Sequence, residues 1–300
     1  MNNYQGWLNV YKPLGLSSFA VVKKVKQTFR LDKVGHGGTL DPLAEGVLPI
    51  AIGKTTKLIK FINTSIKEYE FEIKWGEQTS TDDTEGIIID RSSYIPSEKM
   101  IKNKLKEFIG EILQKPPKAS AVKINGIRAY KLLRDNKEFE IEKKKVFIYS
   151  SEVLDSSNKL ITKFKIKCGK GFYIRSFARD FAETLKTKGH INSLKRTKVG
   201  KFTKENSNLL DDLLKIGQSL SEFKGFHTSV SMLDDILAYE LDDEKYKNSI
   251  SQGKSINISK LINPLLNSAD RKVVFLTEKG NVISFGKLDG DLFKPNKVFI

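Results

Sequence analysis

The chain has 300 residues, 39% of them hydrophobic, and carries 52 Lys and Arg against 36 Asp and Glu for a formal charge of +16. That length can bury a real core and suits one large domain plus a small one. No apolar run approaches the ~20 residues of a membrane span, the single cysteine, Cys168, excludes an internal disulfide, and three histidines and one cysteine scattered far apart make no usual zinc spacing. The N-terminus lacks a basic region followed by an apolar core, so a cytoplasmic location and no metal are expected. Basic residues recur along most of the chain, which points to a polyanion, most plausibly nucleic acid, against the plainer alternative of a lysine-rich surface.

In chain order, Trp7 to Lys12 reads as a short strand, and Pro13-Leu-Gly15 as a turn. Ser17 and Ser18 offer N-caps for a helix through about Phe29, with Val22, Val25 and Phe29 on its buried face. Val34 to Pro49 then packs Gly35, Gly37, Gly38 and Gly46 around His36 and Asp41. Asp41 precedes Pro42, which pushes it toward extended geometry, so its carboxylate projects from a turn and not along a helix face. Leu48 to Ile52 is a strand, and Thr55 to Phe61 a short helix.

Lys67 to Gly76 carries the clearest strand signal: Tyr69, Phe71, Ile73 and Trp75 alternate with Glu68, Glu70, Glu72 and Lys74. Thr79 to Gly86 is a polar loop, Ile87 to Ile89 an apolar strand, and Ser97 caps a helix in which Ile101, Leu105, Phe108, Ile109 and Ile112 share helical spacing. Lys115 to Arg134 interleaves six basic residues with Tyr130, which suits an RNA backbone with a splayed base or, more plainly, a solvated loop and helix. Lys163 to Cys168 alternates again with a basic outer face, and Gly169-Lys-Gly171 turns the chain into a helix. Its stripe is Ile174, Phe177, Ala178, Phe181, Ala182 and Leu185, with Arg175 at the core's edge, where arginine usually meets a carboxylate or phosphate. Residues 231–245 are acidic, and a boundary falls near Tyr239. Beyond it, Lys272 to Leu276 and Val282 to Leu288 flank the hairpin signal Glu278-Lys-Gly-Asn281, and Asp289-Gly-Asp291 turns into a last strand, together suggesting a small β-barrel.

Common motifs fail on inspection. Gly53-Lys54-Thr55 resembles the tail of a phosphate-binding loop, but Leu48 stands where its first glycine belongs. Gly35 to Gly38 lacks the dinucleotide register, and Pro42 and Gly46 argue against Asp41 and Glu45 as a glycosidase pair.

The stretch His36-Gly-Gly-Thr-Leu-Asp41-Pro-Leu-Ala-Glu-Gly-Val-Leu-Pro49 resembles the catalytic motif of the TruB family of RNA pseudouridine synthases. Lys12-Pro-Leu-Gly-Leu-Ser-Ser18, Lys67-Glu-Tyr69, Lys170-Gly-Phe-Tyr-Ile-Arg175 and Leu194-Lys-Arg196 resemble further family motifs in the family's order. Gly37, Glu45 and Gln78 depart from the family pattern. The resemblance implies an α+β fold: a mixed, mainly antiparallel sheet flanked by helices and loops over residues 1–238, with an RNA-binding insertion at about 115–145. A small PUA-like RNA-binding β-barrel over 239–300 would follow.

It also implies an isomerase that converts uridine 55 in the T-arm of tRNA to pseudouridine, as a monomer without cofactor, metal, membrane or obligate protein partner. By resemblance Asp41 is the nucleophile, Tyr69 stacks on the target base, and Arg175 pairs with Asp41. His36, Lys12, Tyr173, Leu194 and Asp83 are substrate-side candidates. The residue types agree, since attack by a carboxylate needs the ionised form, which a neighbouring arginine favours. A reading from another class is an RNA-binding or RNA-chaperone protein whose catalytic loop is vestigial.

Overall fold

The computed structural model describes residues 4–216, 219–220, 223–234, 236–259, 261 and 273–300. Lys272 of the expected first C-terminal strand and Asp235 of the acidic stretch lie outside them. The chain opens with β1 (Gly6–Lys12) and α1 (Ser18–Thr28). The Ser17 hydroxyl caps α1 by accepting from the Ala20 N–H at 3.1 Å, satisfying one donor that the first helical turn leaves without an intrahelical partner. Next come β2 (Val34–His36) and β3 (Ala44–Ile52), a strand that starts well before the expected Leu48. Leu48, Ile50 and Ile52 pack with α1, whereas Val47 and Ala51 pack with Trp7 on the opposite side. With both faces covered, the strand reads as a continuous apolar run without alternation.

A 3₁₀ turn (Gly53–Leu58) runs into α2 (Ile59–Ile62), where a single short helix is expected. Gly53 has φ +62°, and a Cβ there would lie 2.3 Å from the Tyr4 carbonyl oxygen. This glycine answers to chain packing, and Gly53-Lys54-Thr55 builds no phosphate loop. In β4 (Lys67–Trp75) the alternation holds residue by residue. β5 (Glu77–Thr79) and β6 (Ile88–Arg91) form a separate hairpin in which every β6 residue is exposed, so this apolar strand does not join the core.

The helix expected to reach Ile112 stops early: α3 spans Glu98–Lys106, and the chain continues as β7 (Gly110–Gln114). Gly110 takes φ +106°, which non-glycine residues rarely adopt, and β7 pairs with β10 (Lys144–Asp155), reached through β8 (Lys123–Ile124), β9 (Ile127–Arg128) and α4 (Ala129–Arg134). Under the two-residue period Ile112 still packs on the core while Ile109 is exposed. β11 (Ile161–Cys168), α5 (Ile174–Thr184) and β12 (Gly189–Val199) follow, then β13 (Phe202–Thr203), β14 (Asn208–Leu209), α6 (Leu210–Lys215) and β15 (Phe226–His227).

These strands make an eleven-stranded, mainly antiparallel sheet in the order β14-β1-β3-β12-β4-β11-β10-β7, with β2, β13 and β15 at its sides. Pro49 sits in the middle of β3, where proline normally breaks a ladder. It is tolerated because it falls between Gly46, where pairing with β12 ends, and Ile50, where pairing with β2 begins. The α5 stripe buries Phe177 and Phe181 against Phe71, Phe164 and Trp75, and this packing fixes α5 relative to β4 and β12.

The C-terminal part holds β16 (Leu237–Glu240), α7 (Glu244–Ser251), β17 (Ile256–Asn257), β18 (Val274–Glu278), β19 (Asn281–Asp289) and β20 (Leu292–Val298). The expected hairpin is present: Lys279 and Gly280 both take positive φ, the requirement of a two-residue turn matching strand twist. The sheet order is β16-β18-β19-β20-β17. Its outer strands, β16 and β17, do not pair with each other among the described residues, which form a curled half-barrel where a small β-barrel is expected. Phe275, Val282, Phe285 and Phe299 on one of its faces pack with Trp7, Leu58 and Ile62 of the larger sheet's side.

Candidate active site

The glycine loop between β2 and β3 is fastened from several directions. The Ser18 hydroxyl donates to the Leu40 carbonyl at 2.9 Å and accepts from the Leu40 N–H at 2.8 Å. The Gly15 N–H donates to the Pro42 carbonyl at 2.8 Å. Lys12, fully buried on β1, donates to the carbonyls of Leu16 at 2.6 Å and Pro13 at 2.9 Å, with a longer 3.5 Å approach to that of Pro42. Burial pushes its ammonium down to about 8, the charge of Asp41 opposing the fall. From the other side the Arg196 guanidinium, 1% exposed, donates to the carbonyls of Val47 at 2.9 Å, Gly38 at 3.0 Å and Thr39 at 3.4 Å. Asp41 stands at the head of the turn that leads into β3, whose Ala44 N–H donates to the Asp41 carbonyl at 3.1 Å.

Arg175, the second residue of α5, lies between two carboxylates. Its Nη2 is 2.9 Å from Asp41 Oδ2, and its Nη1 is 3.1 Å from Asp83 Oδ2. The same two nitrogens donate to the Ala119 carbonyl at 2.9 Å and the Thr81 carbonyl at 3.2 Å. Asp83 is buried and Asp41 is about a third exposed, so one carboxylate fixes the guanidinium from within while the other faces open space. One turn further along α5, Arg179 binds Asp82 at 2.8 Å and donates to the Lys115 carbonyl. Burial pushes the Asp82 carboxyl up to about 6, with Arg179 opposing. Read as a turn, the stretch Thr79 to Gly86 supplies instead two buried carboxylates for α5.

Asp41 and Arg175 open onto a cleft of about 510 Å³ also lined by Tyr69, Tyr173, Leu194 and Arg196, within the range of small-ligand sites. Tyr69 lies in β4 opposite Arg196 of β12. Burial raises its hydroxyl above the ordinary tyrosine value while the Arg196 charge opposes, so the ring is a neutral phenol. Tyr173 is held by Gln114 at the end of β7, which accepts from the Tyr173 N–H at 2.8 Å and donates to its carbonyl at 3.0 Å; burial and then the Asp41 charge raise its hydroxyl too. The basic stretch after β7 reaches the cleft through Ala119, Ser120, Arg128 and Tyr130.

Of the residues singled out by sequence, Asp41, Tyr69, Arg175, Tyr173 and Leu194 line this one cleft. Asp83 touches Arg175 behind it, and Lys12 supports the loop from below the surface. His36 is not among the lining residues; it lies in β2 with Nδ1 buried and without a hydrogen-bond partner, and burial lowers its pKa. Arg196, known from sequence only as the end of the Leu194-Lys-Arg196 motif, and Ser18, a possible cap, are given no site role by the sequence. A signal for Arg196 was present, since residues two apart on a strand share a face and Arg196 follows Leu194 by two. No group of three or more His, Cys, Asp or Glu placed to hold a metal occurs among the described residues. Cys168 is buried, its thiol pushed up to about 12 by desolvation, which makes it inert.

The architecture is the pseudouridine synthase fold: the archaeal box H/ACA sRNP Nop10–Cbf5 complex aligns over 98% of this chain and 86% of its own with a TM-score of 0.73 at 22% identity. Residues 26–174 match the model of the TruB family pseudouridylate synthase N-terminal domain. The tRNA pseudouridine synthase B of Rickettsia bellii (strain OSU 85-389) is 40% identical over 100% of this chain and 99% of its own length. That of Anaplasma marginale (strain St. Maries) is 40% identical over 98% and 97%. The chain belongs to the TruB family of pseudouridylate synthases.

Proposed function

We propose that this chain is a tRNA pseudouridine synthase acting on uridine 55 of the T-arm, with Asp41 as the nucleophile. The observation that carries the reading is the Asp41 carboxylate, held at 2.9 Å by Arg175 on a cleft that also contains Tyr69. The names of the relatives, all tRNA pseudouridine synthase B, support the substrate class. In the reaction the N1–C1′ glycosidic bond breaks, the uracil rotates in place, a C5–C1′ bond forms, and the C5 proton leaves. Arg175, 2.9 Å away, orients the Asp41 carboxylate toward the cleft. Tyr69 stacks on the extruded base, a contact worth about 1–3 kcal/mol, which offsets the few kcal/mol of unstacking the nucleotide. Leu194 and Tyr173 wall the base pocket, Lys12 and Asp83 support Asp41 and Arg175, and His36 contacts the RNA around the flipped nucleotide.

Residues 1–238 form the catalytic domain, the insertion at about 115–145 closes over RNA through Arg128 and Tyr130, and residues 239–300 act as a PUA-like RNA-binding module in a monomeric, cytoplasmic enzyme. The test is tritium release from tRNA carrying 5-tritiated uridine. Wild type releases tritium, and Asp41→Asn binds the same RNA without release; a fully active Asp41→Asn protein sinks the assignment.

A further inference from the structure

Five lysines from three segments meet where the large sheet joins the C-terminal one. The Gly53 N–H donates to the Lys33 carbonyl at 2.8 Å, which brings the approach to β2 against the 3₁₀ turn bearing Lys54 and Lys57. Across the junction Lys57 Nζ lies 4.8 Å from the centroid of the Phe299 ring, and Lys60 Nζ lies 4.1 Å from Phe285 and 4.9 Å from Phe61. These ammonium groups rest on ring faces. None of Lys33, Lys54, Lys57, Lys60 and Lys297 forms an ion pair among the described residues. Burial, and then the positive charges of Lys297, Lys33 and Lys54, lower the Lys57 pKa.

In a chain with 36 Asp and Glu, a like-charged cluster that forms no ion pair among the described residues is the footprint of a polyanion. The cluster leads to the cleft: Lys60 is three residues before Asn63, a lining residue, and Lys67 follows on the wall. At about 1.5–2 Å of rise per residue, Lys57 stands roughly 10 Å from Asn63 along this segment. On its other side Lys297, in β20, belongs to the C-terminal sheet.

We propose that Lys33, Lys54, Lys57, Lys60 and Lys297 form a phosphate-binding surface that engages the RNA backbone beyond the flipped nucleotide and spans both sheets. The proposal rests on RNA being the substrate, as inferred above. Each phosphate neutralised releases counterions, so the salt dependence of binding counts the contacts.

The experiment measures binding of an unmodified tRNA transcript between 50 and 200 mM salt for Lys54→Gln/Lys57→Gln/Lys297→Gln. The control is Lys99→Gln/Lys102→Gln/Lys106→Gln on α3, which removes the same net charge. The cluster variant lowers the slope of log K against log salt by about 2–3, at roughly 0.9 per phosphate, with kcat at saturating RNA unchanged, and the control leaves the slope at the wild-type value. Because Lys57 touches Phe299, a second variant, Lys33→Gln/Lys54→Gln, removes charge without touching a ring and lowers the slope by about 2. Wild-type slopes in both cluster variants, or equal losses in cluster and control, overturn the proposal. Absence of tritium release by wild type overturns the proposed function instead, and the slopes still report on the surface.

Discussion

Arg196 offers the sharpest test of how the loop carrying Asp41 is held. Its guanidinium is buried, has no carboxylate partner among the described residues, and donates to the carbonyls of Gly38 and Val47 at 3.0 and 2.9 Å. Gly38 lies three residues before Asp41. Hydrogen bonds to a charged group contribute about 1.5–3 kcal/mol each, so these two amount to about 3–6 kcal/mol gross. Replacing a buried charge by an apolar side chain recovers several kcal/mol of desolvation. The net effect of Arg196→Met on stability is therefore small, about 1–3 kcal/mol, whereas the loop loses its inner anchor. Misplacing a reacting group by about 1 Å costs on the order of 100-fold in rate. Arg196→Met is expected to show kcat reduced about 100-fold with KM within about threefold of wild type. Arg196→Lys, which keeps the charge but not the planar fork, falls between. The readouts are urea denaturation and single-turnover tritium release at saturating tRNA. A Met variant with wild-type kcat, or with raised KM alone, would make Arg196 a structural or RNA-binding group and not the anchor of the Asp41 loop.

Two further outcomes follow from the same framework. The Lys12 pKa falls from 10.5 unfolded to about 8 folded, so below pH 8 both states hold the proton, and between about 8 and 10.5 the unfolded chain binds more protons. Stability then rises with pH in that window, by up to about 3 kcal/mol; urea titrations at pH 7 to 10.5 should show a smaller rise in Lys12→Met, and identical pH curves would refute the assignment. Gly46 has φ +111°, and a Cβ there would meet the Arg196 carbonyl oxygen at 2.2 Å, so Gly46→Ala should lose on the order of 3–5 kcal/mol, and a denaturation midpoint equal to wild type would contradict the close β3–β12 approach.

Where one residue's surroundings are set by its own strand or helix, the sequence is a good guide. The alternation of β4 points Tyr69 inward, and the α5 stripe puts Arg175 at the edge of the core. Asp41 before Pro42 is legible as a turn carboxylate for the same reason. What escapes is any burial decided by distant partners. Asp82 looks like a turn former until Arg179, 97 residues away, meets it, and Asp83 is singled out only by the family resemblance until Arg175 is seen beside it. Ser18 reads only as a possible cap, because Leu40 is not yet beside it. The helix expected through Ile112 fails because pairing with β10 and the positive φ of Gly110 outweigh local apolar spacing.

The position of β1 has a consequence for how the chain matures as it is made. One edge of this strand is paired early, to β3, but the other is covered by two-residue strands from the last third of the sequence: β14 at Val10 and Tyr11, and β15 at Trp7 and Leu8. The indole N–H of Trp7 donates to the Ser229 carbonyl, 222 residues downstream. During synthesis at about 5–20 residues per second, that edge stays unpaired for on the order of 10–40 s. An open strand edge is a template for pairing with other chains, so a nascent or truncated chain ending before Asn208 would carry its aggregation hazard at the N-terminus, far from the break.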